Sequence, residues 1–261
     1  MHKPQRIEAD VEPADFHEAE RKLEPLTAAA LTDDDYSSRC AAFLHELDKG
    51  LAGKRVLDVG CGRGDLVLRL RQSGVRAFGL EVEPRYVKSG RILGELYSDD
   101  LPIIGLAEAD GRFPYPDGYF DWVVSFQVLE HVRDLEPVVR EMSRVLRPGG
   151  STVHILPARY RVVEPHYSLP FVHWLPKSPV RARFISTLMR LGVRPAVMRA
   201  HDHATKTASI YRYSNEETFY RTPLRIGGYF KSAGLRMDGA GATKALLKTR
   251  LPNWPVPATV V

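Results

Sequence analysis

Residues 56–66, Val-Leu-Asp-Val-Gly-Cys-Gly-Arg-Gly-Asp-Leu, restrict what this chain can fold into more than any other stretch. Four residues suited to a buried parallel strand run directly into glycines at 60, 62 and 64, and Leu66, Val67 and Leu70 then keep helical spacing until Gly74. Strand, glycine loop and helix in immediate succession predict a parallel α/β unit. Glycines let the backbone approach a ligand closely, and the unsatisfied N–H groups at the start of a helix attract a negatively charged group. A dinucleotide fingerprint of the form G-x-G-x-x-G wants a third small residue where this chain has Asp65. The glycines instead read G-x-G-x-G, with Asp58 two residues ahead.

The segments that follow fit the same architecture. Residues 76–80 predict a second strand ending at Glu81, about 20 residues past the loop, where a carboxylate can accept both hydroxyls of a ribose. Residues 86–97 predict a helix and 103–108 a third strand. Pro114, Pro116 and Gly118 form turns before a fourth strand at 122–126, which runs into Gln-Val-Leu-Glu-His at 127–131. Asp134 can cap the next helix, with its apolar stripe at Val138, Val139, Met142, Val145 and Leu146. Arg-Pro-Gly-Gly at 147–150 stops that helix ahead of a fifth strand at 151–156.

Taken in order, the glycine loop, Glu81, Asp110, the Phe-Asp pair at 120–121 and the Arg-Pro-Gly-Gly stop resemble the class I methyltransferases that use S-adenosylmethionine (SAM). The resemblance is strongest to the broad group that includes quinone-biosynthesis methyltransferases, and it covers residues 36–156. It implies an α/β fold with a Rossmann-like, seven-stranded, mostly parallel sheet flanked by helices. It also implies SAM as methyl donor and S-adenosyl-L-homocysteine (SAH) as product. By resemblance Asp58, Gly60, Cys61, Gly62, Gly64, Glu81, Val82, Asp110, Gly111 and Gln127 contact the cofactor. Asp110 would sit near the adenine, and Gln127 would border the ribose and methionine. Glu108 is the alternative to Asp110, because the spacing to the proline turn is slightly shorter here than in many members.

Outside this core, residues 1–35 are polar and read as an N-terminal helical arm, with Asp33, Asp34 and Asp35 able to start the helix over 36–47. Residues 157–220 are too long for a simple crossover and read as a lid inserted after strand five. Within it Arg159, Tyr160, Arg161, His166, Tyr167 and Trp174 are the candidate substrate contacts, and residues 180–191 predict a basic amphipathic helix. An imidazole titrates near neutrality, so His131, His154 and His166 are candidate general bases, among which the sequence does not choose. The histidines lack metal-helix spacing, and no metal is expected. Ser214 to Glu217 matches a capping box, and residues 235–237 and 244–247 read as short strands of a hairpin that completes the sheet within 221–261.

Charge divides the chain. Residues 157–261 hold 17 Lys and Arg against 5 Asp and Glu, whereas residues 1–156 hold 20 against 27. An acidic cofactor half suits a sulfonium better than a pyrophosphate, and a basic half suits an anionic substrate or surface. Two cysteines, Cys40 and Cys61, show no paired or metal-type spacing. No apolar run of about 18 residues and no signal-peptide core are visible, so a soluble, cytoplasmic protein is expected. The expected function is methyl transfer to a small-molecule acceptor that is hydroxyl-bearing or anionic. Three alternatives stay open. One is a methyltransferase acting on RNA or a membrane lipid, which the basic half favours although no RNA-binding module is visible. The others are an NAD(P)-dependent oxidoreductase and a SAM-binding protein without catalysis. Peripheral membrane contact is compatible with the same charge.

Overall fold

A computed structural model describes residues 35–157, 159–195, 201–236 and 240–249. The described residues divide into two compact units, one within 159–220 and the other comprising 35–157 with those from 221 to 249. No helix among the described residues is long and apolar enough to cross a membrane.

In the larger unit, helix α1 (Tyr36–Leu47) is followed by β1 (Arg55–Val59), α2 (Asp65–Gln72), β2 (Arg76–Glu81), α3 (Val87–Leu96), β3 (Ile104–Leu106), β4 (Phe120–Phe126), α4 (Leu135–Val145) and β5 (Leu146–Ile155). The strands form one sheet in the order β3-β2-β1-β4-β5, and all neighbours are parallel. The order reverses at β1, which has β2 on one side and β4 on the other. Parallel pairing brings all the carboxyl ends to one edge, and such a reversal opens a crevice there.

Strand residues alternate between two cores. Val56, Ala77, Val124 and Val153 pack with Cys40, Phe43 and Leu44 of α1 and with Val67 and Leu70 of α2. Leu57, Phe78, Leu80 and Val123 pack on the opposite face with Val139, Met142 and Val145 of α4. Strands buried on both faces are what a near-continuous apolar run predicts. The Phe-Asp pair anchors the sheet. Asp121 accepts the Arg55 N–H at 2.8 Å and Arg147 Nε at 2.6 Å, tying the starts of β1, β4 and β5 together. Tyr115, in the proline turn, donates to the Gly79 carbonyl at 2.6 Å and accepts from the Gly105 N–H at 3.0 Å.

Several expectations need correction. The third strand is shorter than 103–108. The helix expected over 86–97 begins as a 3₁₀ turn at Pro84–Tyr86. The fifth strand starts at Leu146, but residues 147–150 bulge opposite Asp121 and regular pairing resumes at Ser151. After the second unit the chain re-enters this one as α7 (Pro223–Ser232) and α8 (Ala240–Thr249). Residues 244–247 are thus helical, Leu235 and Arg236 are not in a strand, and the sheet has five strands among the described residues rather than seven. The Ala- and Leu-rich run favours a helix intrinsically, and Ala242, Ala245 and Leu246 recur at the spacing of a helix face that packs into the core beside α1. Residues 1–34 and Met237 lie outside the described residues.

The second unit contains a 3₁₀ turn (Val172–Trp174), α5 (Pro179–Arg190) and α6 (His203–Arg212), around a core of Tyr167, Leu169, Val172, Ile185, Ile210 and Tyr213. The basic helix expected over 180–191 is α5. Ser214 to Glu217 does not start a helix but ends one: it lies in a π turn, Tyr213–Glu217, continuing from α6, and the Ser214 hydroxyl donates back to the Tyr211 carbonyl. A capping box needs an extended residue at its first position, which the preceding helix denies.

Candidate functional site

Beyond the carboxyl end of β1 the backbone turns through Gly60, Gly62 and Gly64, all at positive φ, into the first turn of α2. The two outer glycines are required by packing. A Cβ on Gly60 would lie 2.5 Å from Val128 Cγ2, and one on Gly64 would lie 3.0 Å from Ile104 and Leu93. At Gly62 nothing lies within 4 Å of a Cβ, so this glycine faces open space. The Cys61 thiol turns onto Gly79 beneath the loop, and burial, then the charges of Asp58 and Glu81, push its ionisation up.

Glu81 ends β2 beside this loop. Its Oε1 accepts the Gly62 N–H at 2.7 Å and its Oε2 accepts the Val82 N–H at 2.9 Å. Burial raises its pKa, and these backbone bonds oppose the rise. Val82 offers that N–H while its side chain is exposed. Asp58 is buried at the end of β1, and burial followed by the nearby Glu81 charge raises its pKa well above the usual carboxylate range.

A cleft of about 300 Å³ opens here, lined by Asp58, Gly60 and Cys61, by Arg63, Asp65 and Leu66, by Phe126, and by Asp35, Tyr36, Ser37 and Cys40 of α1. Arg63 is neutralised within it by Asp65, at 2.7 Å. The start of α1 is fixed to α2 by Arg69, which donates to Asp35 Oδ2 and Ser37 Oγ, each at 2.7 Å. The lining thus carries the carboxyl groups of Asp35, Asp58 and Asp65 and the guanidinium of Arg63. A larger cleft of about 470 Å³ lies between α3 and the amino-terminal side of β3 and shares no residue with the first. Ligands of open α/β sheets bind beyond the carboxyl ends, which favours the smaller cleft.

Gln127 follows β4 at φ +60°, a conformation that side chains adopt at a cost. Its buried amide nitrogen has no hydrogen-bond partner of normal geometry among the described residues. Asp110 and Gly111 form an exposed turn after β3, in which Asp110 Oδ1 accepts the Arg112 N–H at 2.9 Å and Gly111 takes φ +85°. Glu108 is also exposed, with its backbone N–H on the Arg112 carbonyl.

The family model described as a methyltransferase domain matches residues 57–154, the span that carries the glycine loop, Glu81, Asp110 and Gln127. These residues are similar to a methyltransferase domain. The 27-O-demethylrifamycin SV methyltransferase of Amycolatopsis mediterranei (strain S699) is 37% identical over 103 residues, 38% of this chain and 37% of that protein. The ubiquinone biosynthesis O-methyltransferase of Xanthomonas oryzae pv. oryzae (strain PXO99A) is 35% identical over 114 residues, 42% of this chain and 47% of that protein. The chain thus spans less than half the length of these relatives. A solved S-adenosylmethionine dependent methyltransferase from Mesorhizobium loti is 18% identical at a TM-score of 0.48, covering 84% of this chain and 90% of that one. The match to a methyltransferase domain speaks against the oxidoreductase alternative.

The three candidate bases have different surroundings. His154, on β5, is fully buried: Nδ1 meets Ser125 Oγ at 2.8 Å, Nε2 meets Thr152 Oγ1, and the ring packs 4.9 Å from Phe230. Burial lowers its pKa to about 3. With both nitrogens engaged and no solvent access, His154 cannot meet an acceptor, which corrects its candidacy. His131 is half-buried in the turn after β4, its N–H on the Val128 carbonyl at 2.8 Å. His166, in the second unit, bonds Glu164 Oε1 through Nδ1 at 2.6 Å.

Among the candidate substrate contacts, Tyr167 is fully buried in the core of the second unit, so that assignment is also corrected. Arg159 donates to the Tyr220 carbonyl at 3.0 Å. Tyr160 is exposed, as is Trp174, whose ring meets Phe171 edge-on at 5.0 Å. Arg161 is half-buried, and burial lowers its pKa. Sequence reasoning missed Asp35, Tyr36 and Phe126 as cleft residues. The available signal was the Asp35 cap position, which directs the start of α1 to the cleft.

Proposed function

We propose that this chain transfers a methyl group from SAM to a small-molecule acceptor bearing a hydroxyl or an anionic group. The observation that carries the reading is the cleft at the carboxyl ends of β1 and β4, lined by Asp58, Gly60, Cys61 and Phe126 at the glycine loop. Its chemistry fits SAM: the carboxyl groups of the lining suit a sulfonium and an α-ammonium, the first turn of α2 suits the methionine carboxylate, and Glu81 keeps acceptor capacity for a diol beyond its backbone bonds. Asp58, Gly60, Cys61, Gly62 and Gly64 would hold the methionine side, Glu81 and Val82 the ribose, Asp110 and Gly111 the adenine. Gln127 would supply its side-chain amide, which lies beside the Tyr36 hydroxyl. When bound, SAM supplies an electrophilic methyl group on a sulfonium, and its release as a thioether leaves SAH.

Residues 159–220 are read as the acceptor-binding part. They follow directly from the carboxyl end of β5 and expose Tyr160, Phe171 and Trp174, with Arg159 and Arg161 as the cations of that unit that would orient an anionic group. Two of the relatives, one acting on 27-O-demethylrifamycin SV and one an O-methyltransferase of ubiquinone biosynthesis, support a small hydroxylated acceptor. Calorimetry with SAH and with NAD⁺ tests the cofactor: SAH should bind and NAD⁺ should not. A methyl-transfer screen over hydroxylated, aminated and anionic small molecules, with RNA and anionic lipid vesicles as further arms, tests the acceptor. Turnover confined to RNA or vesicles would replace this reading.

A further inference from the structure

Asp35, Asp58 and Asp65 bring their carboxyl groups to the cleft at the glycine loop, and two of the three are paired. Asp65 takes Arg63 in a fork, with Nη2 at 2.7 Å and Nε at 3.2 Å. Asp35 accepts Arg69 at 2.7 Å and the Ser38 N–H at 2.8 Å. Asp58 is different. It is only 5% exposed and lines the cleft, yet among the described residues no N–H or O–H donates to its carboxyl group and no cation pairs with it.

The groups that face Asp58 do not favour its charge. Glu81 acts on it from the end of β2, and Asp58 in turn acts on the Cys61 thiol of the loop and the Cys40 thiol of α1. The Tyr36 hydroxyl, also on α1, is engaged with Cys40 and the Gln127 amide, and the charge that reaches it from the turn after β4 is that of Glu130. A carboxylate withdrawn from water beside a second carboxylate is strongly disfavoured, whereas the neutral acid is tolerated. Burial and the missing counter-charge therefore put a proton on Asp58 in the free protein, in keeping with its raised pKa. Its charged form becomes favourable when a cation enters the cleft.

We propose that Asp58 holds a proton in the free protein and releases it to water when the cationic part of SAM enters, so that cofactor binding is coupled to the loss of a proton. The inference rests on the reading of this cleft as the SAM site. The O–H bond of the carboxylic acid breaks, its electron pair stays on the carboxylate oxygen, and the proton passes to water. Two cations of SAM fit the role, the sulfonium and the α-ammonium, and SAH keeps only the second. Affinity then rises with pH, by up to about tenfold per pH unit below the ionisation of Asp58 in the free protein. Folding runs the other way. Because the folded carboxyl ionises above the unfolded value, its contribution to stability is fully present at low pH and is lost as the pH rises through the folded pKa.

The test is calorimetry of the full chain with SAM and with SAH between about pH 5 and pH 7, where the α-ammonium stays charged, in pairs of buffers that differ in ionisation enthalpy. The wild type should release about one proton per SAM at the acid end of this range. Release with SAH as well assigns the ammonium to Asp58, and release with SAM alone assigns the sulfonium. Asp58→Asn should bind SAM without release, about tenfold to a hundredfold more weakly than the wild type at the upper end of the range, and should melt no lower than the wild type without ligand. Glu81→Gln should keep the release but move it to lower pH, since a neighbouring negative charge is gone. SAM binding by the wild type without proton release overturns the proposal, as does release that persists in Asp58→Asn or vanishes from Glu81→Gln across the whole range. Where Asp58→Asn fails to fold, infrared difference spectra of wild-type protein isotope-labelled at its aspartate carboxyls decide. A carboxylic acid carbonyl band should be present in the free protein and vanish with SAM, and its absence from the free protein overturns the proposal. Absence of both SAM and SAH binding by the wild type would instead overturn the cofactor reading.

Discussion

The backbone N–H of Gly62 donates a 2.7 Å hydrogen bond to Glu81 Oε1, so the carboxylate that ends β2 also holds the middle of the glycine loop. Glu81 thereby serves two purposes. It shapes the loop and, under the proposed function, receives the ribose. Glu81→Ala should weaken SAH binding by about tenfold to a hundredfold, the effect of removing a charged hydrogen-bond acceptor worth roughly 1.5–3 kcal/mol. Glu81→Gln, which keeps one carbonyl acceptor, should lose less. Calorimetry on both variants checks this, and unchanged affinity in Glu81→Ala would remove the residue from the site.

Gly60 and Gly62 should respond differently to substitution. The Cβ of Gly60→Ala is directed at Val128 on a backbone at φ +75°, so the main cost is to folding, about 1–2 kcal/mol from the backbone with the clash in addition. The sequence alone suggests that this Cβ would enter ligand space, whereas the structure directs it into a neighbouring side chain. Gly62 faces open space, so Gly62→Ala should lower SAH affinity more than its strain lowers the melting temperature. Thermal melts with and without SAH separate the two effects. Equal loss of affinity per degree of destabilisation in both variants would contradict the distinction.

Asp110 and Glu108 can be separated by mutation because both side chains are exposed and neither belongs to a core. Asp110→Ala should weaken SAH binding by about tenfold with a melting temperature near that of the wild type, and Glu108→Ala should leave binding unchanged. The reverse outcome would shift the adenine contact to Glu108, two residues earlier in the turn.

His154 gives the fold a pH dependence. Its folded pKa of about 3 lies below the ordinary value of 6.5, so the unfolded chain binds the extra proton first. The contribution is fully present above pH 6.5 and is lost as the pH falls from there toward 3, by up to roughly 1.4 kcal/mol per pH unit. Urea titrations at pH 7.5 and pH 5 should show this slope in the wild type and a shallower one in His154→Asn, which cannot titrate. An identical slope in both would assign the acid sensitivity to other groups.

The legibility of the chain follows the range of the interactions that decide each part. The strand, glycine loop and helix at residues 55–72 were readable because apolar spacing and positive-φ glycines are local properties, and the same holds for the basic helix α5. Residues 244–247 were misread because short apolar runs fit strand and helix alike, and it is packing of Ala242 and Ala245 into the core beside α1 that selects the helix. Burial likewise decided the fate of two candidate residues: nothing local distinguishes His154 or Tyr167 from an exposed neighbour, but Phe230 covers one and the core of the second unit encloses the other.

By itself, then, the sequence determined the order of the parallel unit and the position of the glycine loop, since both depend on neighbours within one turn or one strand. Only the tertiary structure brought Asp35 and Tyr36 to the same cleft as Asp58 and Phe126, and Tyr220 to a carboxylate 56 residues earlier in the chain. Such contacts arise where the chain closes long loops against buried surface, and no spacing within a short window encodes which distant side chain will meet them.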